Sequence, residues 1–406
     1  MGVKELLELY QNNPRLFQLA DRLSFASTDH PPVFYLENLQ GSASQFVVAA
    51  AFLHPALAQQ NHLIILNDPE EAAYFHNTLE NLTEALDLFY FPSSFKNRKN
   101  FQLLNSSHVM LRTEALTKLA TGGNKKIIVT SPEALFEKVG LPATLSQNII
   151  HIKSGDTLDT AALLLRLADY GFERTDFVYE PGQFAIRGGI LDIYSYGNEK
   201  PYRVELFGNE VDSIRIIDPE TQLSERKLLQ VSIIPNMDVQ LSSEERISLL
   251  DFMPENTVVW IQDYAICREL LAENSGELHA FLELQETWKA VEESGTHQKG
   301  KTKQIDEQED KLHKKTVLES DFITAAQFET AIASKKLVGF GPDNSFPATL
   351  SPIIIHHQTR EQPAFNRQFE LLIHDLKNWE AKQFRICIFA ENPKQLERLQ
   401  SIFDDL

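Results

Sequence analysis

The feature that most constrains this chain is a double change of hydrophobic period, from helix-and-strand alternation to short period-two strands near residue 140, and back again near residue 235. Before the first change the sequence reads as helices at Val3 to Leu19, Ala43 to His54, Pro69 to Thr78 and Met110 to Ala120. Between them lie apolar strands at Val33 to Leu36, His62 to Leu66, Leu88 to Phe91 and Lys126 to Thr130. Ile127, Ile128 and Val129 form the continuous apolar run of a strand covered on both faces, as in a parallel sheet. Ser131 and Pro132 then supply an N-cap and a first helical turn.

After one amphipathic helix at Leu158 to Tyr170, glycine and proline turns separate strands at Phe184 to Arg187, Ile190 to Tyr194, Tyr202 to Phe207 and Val211 to Ile217. Gly208-Asn209 suits a tight hairpin with glycine at the first central position. This is the pattern of an antiparallel meander. From Pro235 the mixed pattern resumes, with a strand at Thr257 to Ile261, a long helix at Tyr264 to Glu293, a helix at Ala325 to Ser334 and a strand at Leu337 to Gly341. Gly295 to Lys315 has almost no apolar residue and is expected to be a mobile insertion. Beyond the Pro342 to Ser345 turn cluster, a strand at Ile353 to His356, helix at Phe365 to Trp379, strand at Arg385 to Phe389 and helix at Pro393 to Phe403 form a last unit. It needs further strands to complete a sheet, so a longer protein is expected.

Charge and cysteine usage exclude several functions. A net charge of −19 over 406 residues opposes tight binding to nucleic-acid phosphates. Cys267 and Cys387 lie far apart without partners at metal-ligand spacing, so both read as core thiols of a reducing compartment, and no metal is expected. No run approaches the roughly 20 apolar residues of a membrane span, and the N-terminus has no secretory pattern, so a cytoplasmic protein is expected. His356-His357 read as strand or surface residues, and Asp218 to Thr221 as a turn. Gly182 to Gly189 joins strands without opening a helix, unlike a dinucleotide loop.

The runs Gly171-Phe172-Glu173-Arg174, Pro181 to Ile193 and Arg203 to Arg215 closely resemble the module shared by UvrB and bacterial transcription-repair coupling factors. The resemblance implies a small sheet domain that recognises UvrA, inserted in an α/β domain and followed by a further α/β unit. It implies that Arg174 and Arg187 match arginines UvrB uses towards UvrA, and that Ala185 departs from UvrB, where a further arginine sits. A guanidinium fork binds carboxylates bidentately and a neighbouring aromatic adds buried area, so Arg174, Phe184 and Arg187 are the predicted UvrA contacts, with Arg187 the anchor and its guanidinium facing the partner.

A phosphate-binding loop would lie at Gly41-Ser42-Ala43-Ser44-Gln45. Such a loop needs a lysine on the β- and γ-phosphates and a hydroxyl on Mg²⁺. Matched to UvrB's loop, Ala43, Ser44 and Gln45 replace glycine, lysine and threonine. The residues read equally well as a plain helix start after a strand; both readings predict no ATP hydrolysis and no bound cofactor. The long aromatic hairpin with which UvrB clamps DNA has no room between Tyr90 and Arg112.

The expected architecture is multi-domain α/β: residues 1–140 an α/β domain with the degenerate loop, 141–234 the inserted antiparallel-sheet domain, 235–341 the continuation of the first domain with the 295–315 insertion, and 345–406 the start of a further α/β unit. The expected function is that of a UvrA-recruiting adaptor without enzymatic activity. By resemblance, RNA polymerase, double-stranded DNA, ATP and Mg²⁺ belong to motor domains beyond Leu406, and the sheet domain is masked within the parent at rest. The competing expectations are a UvrB-like helicase subunit that binds ATP and DNA, and an autoregulatory module that covers its own motor.

Overall fold

The computed structural model describes residues 3–24, 31–85, 87–97, 100–123, 125–235, 246–293, 317–360, 362–366, 368–388 and 393–405. The expected mobile insertion at 295–315 lies outside them.

Seven parallel strands form the central sheet, in the order Ile353–His356, Val33–Glu37, Lys336–Phe340, Thr257–Ile261, Asn61–Ile65, Ile127–Thr130, Leu88–Phe91. The strands at 257–261 and 336–340 sit between those at 33–37 and 61–65, so chain from both sides of the antiparallel segment is interleaved in one sheet. Every residue of the Thr257–Ile261 and Ile127–Thr130 strands is buried, which is why they read as unbroken apolar runs. Two apolar cores, one on each face, receive their alternate side chains. Helix starts are fixed locally: Asp68 accepts hydrogen bonds from the Glu70 and Glu71 amides ahead of Pro69–Thr83, and Thr324 and Gln327 form a capping box for Ala325–Ala333.

Three expectations need correction. The single helix at Val3 to Leu19 is two, Val3–Gln11 and Pro14–Ser24, because Pro14 cannot continue the amide ladder while Asn13 Oδ1 accepts the Arg15 amide and starts a new helix. The Ile353–His356 strand, read as the opening of the last unit, is the edge strand of the central sheet, parallel to Val33–Glu37. The expected strand at Arg385 to Phe389 is irregular over its described residues, 385–388, and Cys387 there is exposed, not core. A short hairpin, Phe95–Asn97 with Asn100–Leu104, occupies the stretch before Arg112, and its Phe95 and Phe101 are buried in the core.

The second sheet has six strands in the order Ser224–Leu228, Glu210–Ile217, Tyr202–Phe207, Ile190–Ile193, Gln183–Arg187, Glu173–Arg174, antiparallel except for the last pair. Gly208 takes a φ of +65° in the turn between Tyr202–Phe207 and Glu210–Ile217, the left-handed conformation glycine adopts without strain. Helix Thr160–Asp169 covers one face with Leu163 and Leu167, and the pair Ile150–Lys153 with Gln230–Ile233 closes the neck of the module. The other face is left outward.

Candidate functional site

Alternation along Gln183–Arg187 sends Phe184 and Ile186 towards the helix-covered core and Ala185 and Arg187 to the outward face. Phe184 is only 3% exposed among core residues, so the ring predicted to meet UvrA is a structural side chain. Cross-strand register then builds the outward face. Ala185 pairs with Asp192, Asp192 with Arg203, Arg203 with Arg215 and Arg215 with Lys227; the next row runs from Arg187 through Ile190 and Glu205 to Ser213.

Asp192 is the hub of this face. Its carboxylate has no exposed surface and accepts both forks of Arg203, at 2.7 and 2.8 Å, and Arg187 Nη2 at 2.5 Å. The hydrogen bonds that Arg203 donates to Asp192 push its pKa up, so this guanidinium stays charged. A buried carboxylate shared by two guanidinia is a charge-assisted arrangement in which removing one partner strands the others. Arg187 also donates to the Asp176 carbonyl and lies 4.5 Å over the Phe177 ring. Beside them Arg215 approaches Glu205 at 3.6 Å, and Ser213 Oγ donates to the same carboxylate.

These contacts change the predicted roles. The Arg187 side chain is 34% exposed and anchored to its own chain, with Nη2 on Asp192 and Nη1 on the Asp176 carbonyl. Gly189, two residues beyond Arg187, is approached closely by this chain itself: a Cβ there would meet the Leu206 carbonyl oxygen at 2.7 Å. Arg174 is exposed, but it pairs in register with Phe184 and so starts from the side of the sheet opposite Arg187. The two arginines are not brought together. Ala185 is buried with Val178, Tyr194 and Ile217, so an apolar cluster fills the position where UvrB carries an arginine. Sequence reasoning missed Asp192, Arg203 and Phe177; the spacing of two between Ile190 and Asp192, across the tight Gly188-Gly189 turn from Arg187, was the available signal.

At the other candidate, the loop after Val33–Glu37 leads into helix Ala43–Leu53. Gly41 has φ +57°, Ser42 makes no side-chain cap, and Ser44 Oγ donates to Gln45 Oε1 at 3.0 Å. Thr359 occupies the mouth of the loop: its hydroxyl accepts the Gln40 amide at 2.8 Å and donates to the Asn38 carbonyl. Carboxylates gather at this end of the sheet. Burial pushes the Tyr35 phenol up to about 12, reinforced by Asp343, Glu37 and Asp263. Among the described residues no cluster of histidine, cysteine and carboxylate groups could hold a metal, and no helix is long and apolar enough to cross a membrane.

Residues 150–238, the segment that builds the second sheet, match the family model described as the UvrB interaction domain. Over 91% of its length the chain is similar to transcription-repair-coupling factors: 23% identical to that of Bacillus subtilis (strain 168) and 25% to that of Staphylococcus aureus (strain USA300). It is 32% identical to the Myxococcus xanthus factor over 142 residues. The chain thus carries a UvrB interaction domain and is a relative of the transcription-repair-coupling factors, spanning about a third (34%) of the length of the first two relatives.

Proposed function

We propose that this chain is a UvrA-recruiting adaptor of transcription-coupled nucleotide excision repair, working through the outward face of the second sheet. The observation that carries the reading is the Arg187–Asp192–Arg203 network, displayed on the open face of the segment that matches the UvrB interaction domain. A pre-oriented guanidinium pair recognises a partner carboxylate without first losing rotamer freedom. Arg187 is the anchor in this account; Arg174, exposed at the sheet edge, is a peripheral contact at most.

The chain acts without nucleotide or metal. At this end of the central sheet the loop carries no lysine, Thr359 already takes the Gln40 amide, and the carboxylates around Tyr35 oppose a phosphate's charge. The same loop weighs against the UvrB-like helicase reading. In the longer protein that its relatives represent, ATP-driven DNA translocation and displacement of a stalled RNA polymerase belong to other regions. The test is calorimetric titration of the chain with UvrA: saturable binding that weakens at least tenfold in Arg187→Ala supports the reading, and no heat of binding with the parent chain refutes it.

A further inference from the structure

Beside the arginine network, three apolar side chains stand out of the same face: Phe177 at 44% exposure, Tyr179 at 57% and Leu223 at 67%. They come from two loops locked together. Val178, between the two aromatics, turns inward and is fully buried against Ala185, Tyr194 and Ile217. Gln222 Nε2 donates to the Val178 carbonyl at 3.1 Å, and Arg203 Nη1 donates to the Gln222 carbonyl at 3.2 Å. Gln222 itself holds a left-handed φ of +59°, a conformation that a residue with a Cβ keeps only when its surroundings impose it. That backbone presents Leu223 outward. Phe177 completes the link, lying under the Arg187 guanidinium.

We infer that Phe177, Tyr179 and Leu223 form an apolar docking ridge whose occupant is a protein surface presenting carboxylates beside apolar side chains; resting on the reading above, that surface belongs to UvrA. Charge complementarity selects this occupant. In a chain of net charge −19, the outward face lines up Arg187, Arg203, Arg215 and Lys227, with Asp192 and Glu205 already engaged by those arginines. A second copy of so acidic a chain meets general repulsion, whereas an acidic patch on another protein is drawn to the row. Aromatic residues with few rotatable bonds, set against an arginine already held in place, are the composition of interface hot spots. The ridge also fills the role that Phe184 cannot, since Phe184 is inside.

The test is titration of UvrA into the parent chain, Tyr179→Ser, Leu223→Ser and the double variant, with Leu165→Ser as control. Leu165 is exposed on helix Thr160–Asp169, which covers the opposite side of the sheet. All three substitutions alter exposed side chains, so thermal midpoints should stay near the parent's, and the two ridge positions report independently. Each ridge single variant is expected to weaken binding roughly tenfold and the double variant further, with Leu165→Ser unchanged. If the parent binds UvrA and both ridge variants bind as tightly, the ridge is overturned while the adaptor reading stands. If the parent does not bind, the adaptor reading falls and takes the ridge with it. Self-association of the parent that Leu223→Ser abolishes would assign the ridge to a second copy and overturn the proposal.

Discussion

The two sheets place charge at their open sites in opposite ways. At the loop end of the parallel sheet, Asp343, Glu37 and Asp263 lie near Tyr35, and Thr359 takes the Gln40 amide and the Asn38 carbonyl of the loop. On the outward face of the antiparallel sheet, a single buried carboxylate holds two arginines, of which Arg187 keeps 34% of its side chain exposed. The first end is the usual ligand crevice of an open parallel α/β sheet, yet carboxylates stand near it and Thr359 already bonds its loop. The second is a flat sheet face, unremarkable by topology, yet it is the one with directed charge. Fold alone therefore points to the wrong region, and the side-chain partners decide which one is available.

The largest effect that sharpens this contrast should come from Glu137→Ala. Arg112, with no exposed surface, lies 3.5 Å from the Glu137 carboxylate, which also accepts from Ser93 Oγ, Ser94 N and Ser94 Oγ. Removing that carboxylate takes a charge partner from a buried guanidinium and strands the three serine donors, at a cost of about 3–5 kcal/mol in denaturant unfolding. The network serves the parallel half, so folded Glu137→Ala should bind UvrA like the parent; lost affinity without lost stability would blur the division.

Arg187→Ala comes next. It should weaken UvrA binding at least tenfold and also destabilise the fold by about 1–2 kcal/mol, because Asp192 keeps only Arg203. Arg187→Lys, which keeps the charge without the fork, should fall between the two in affinity. Equal affinity for parent and Arg187→Ala would remove the anchor.

A smaller effect concerns His62, buried in the parallel sheet, where its Nδ1 accepts the Trp260 indole N–H at 3.0 Å and burial, with Lys125 nearby, lowers its pKa to about 3. Folding favours the neutral ring. The stability it contributes is therefore complete above the ordinary value of 6.5 and is lost as pH falls towards about 3. His62→Gln keeps an acceptor for Trp260, and its unfolding free energy should decline less steeply than the parent's over that window, by up to about 1.4 kcal/mol per pH unit. Parallel pH profiles would show that the ring is not the titrating group.

The smallest expected effect is none. Calorimetry should detect no saturable Mg-ATP binding by the parent, nor by Ser44→Lys, because one lysine does not offset the carboxylates at that end or displace Thr359. Micromolar affinity in either chain would break the comparison outright.

Most of the parallel sheet was legible because strands buried on both faces must be apolar throughout, as at Ile127–Thr130 and Thr257–Ile261. The Ser224–Leu228 strand was not, since it is an exposed edge held by its ladder to Glu210–Ile217 and carries almost no apolar pattern. In the candidate site the placement of Phe184 was open to deduction: three positions from Arg187 on one strand, it must face the other way. Arg174 was harder, because its side depends on parallel pairing with Phe184, which no local pattern announces. Thr359 lies over 300 residues from the loop it fills, and only the tertiary structure brings them together.

Amide hydrogen exchange of the whole chain with and without UvrA tests the central claim most directly, since it reports on both regions in one experiment. The account predicts UvrA-dependent protection at residues 175–180, 187–192 and 218–223, with exchange at residues 38–45 unchanged. Protection confined to residues 38–45 and the neighbouring strand ends, with the outward face of the second sheet unaffected, would contradict it.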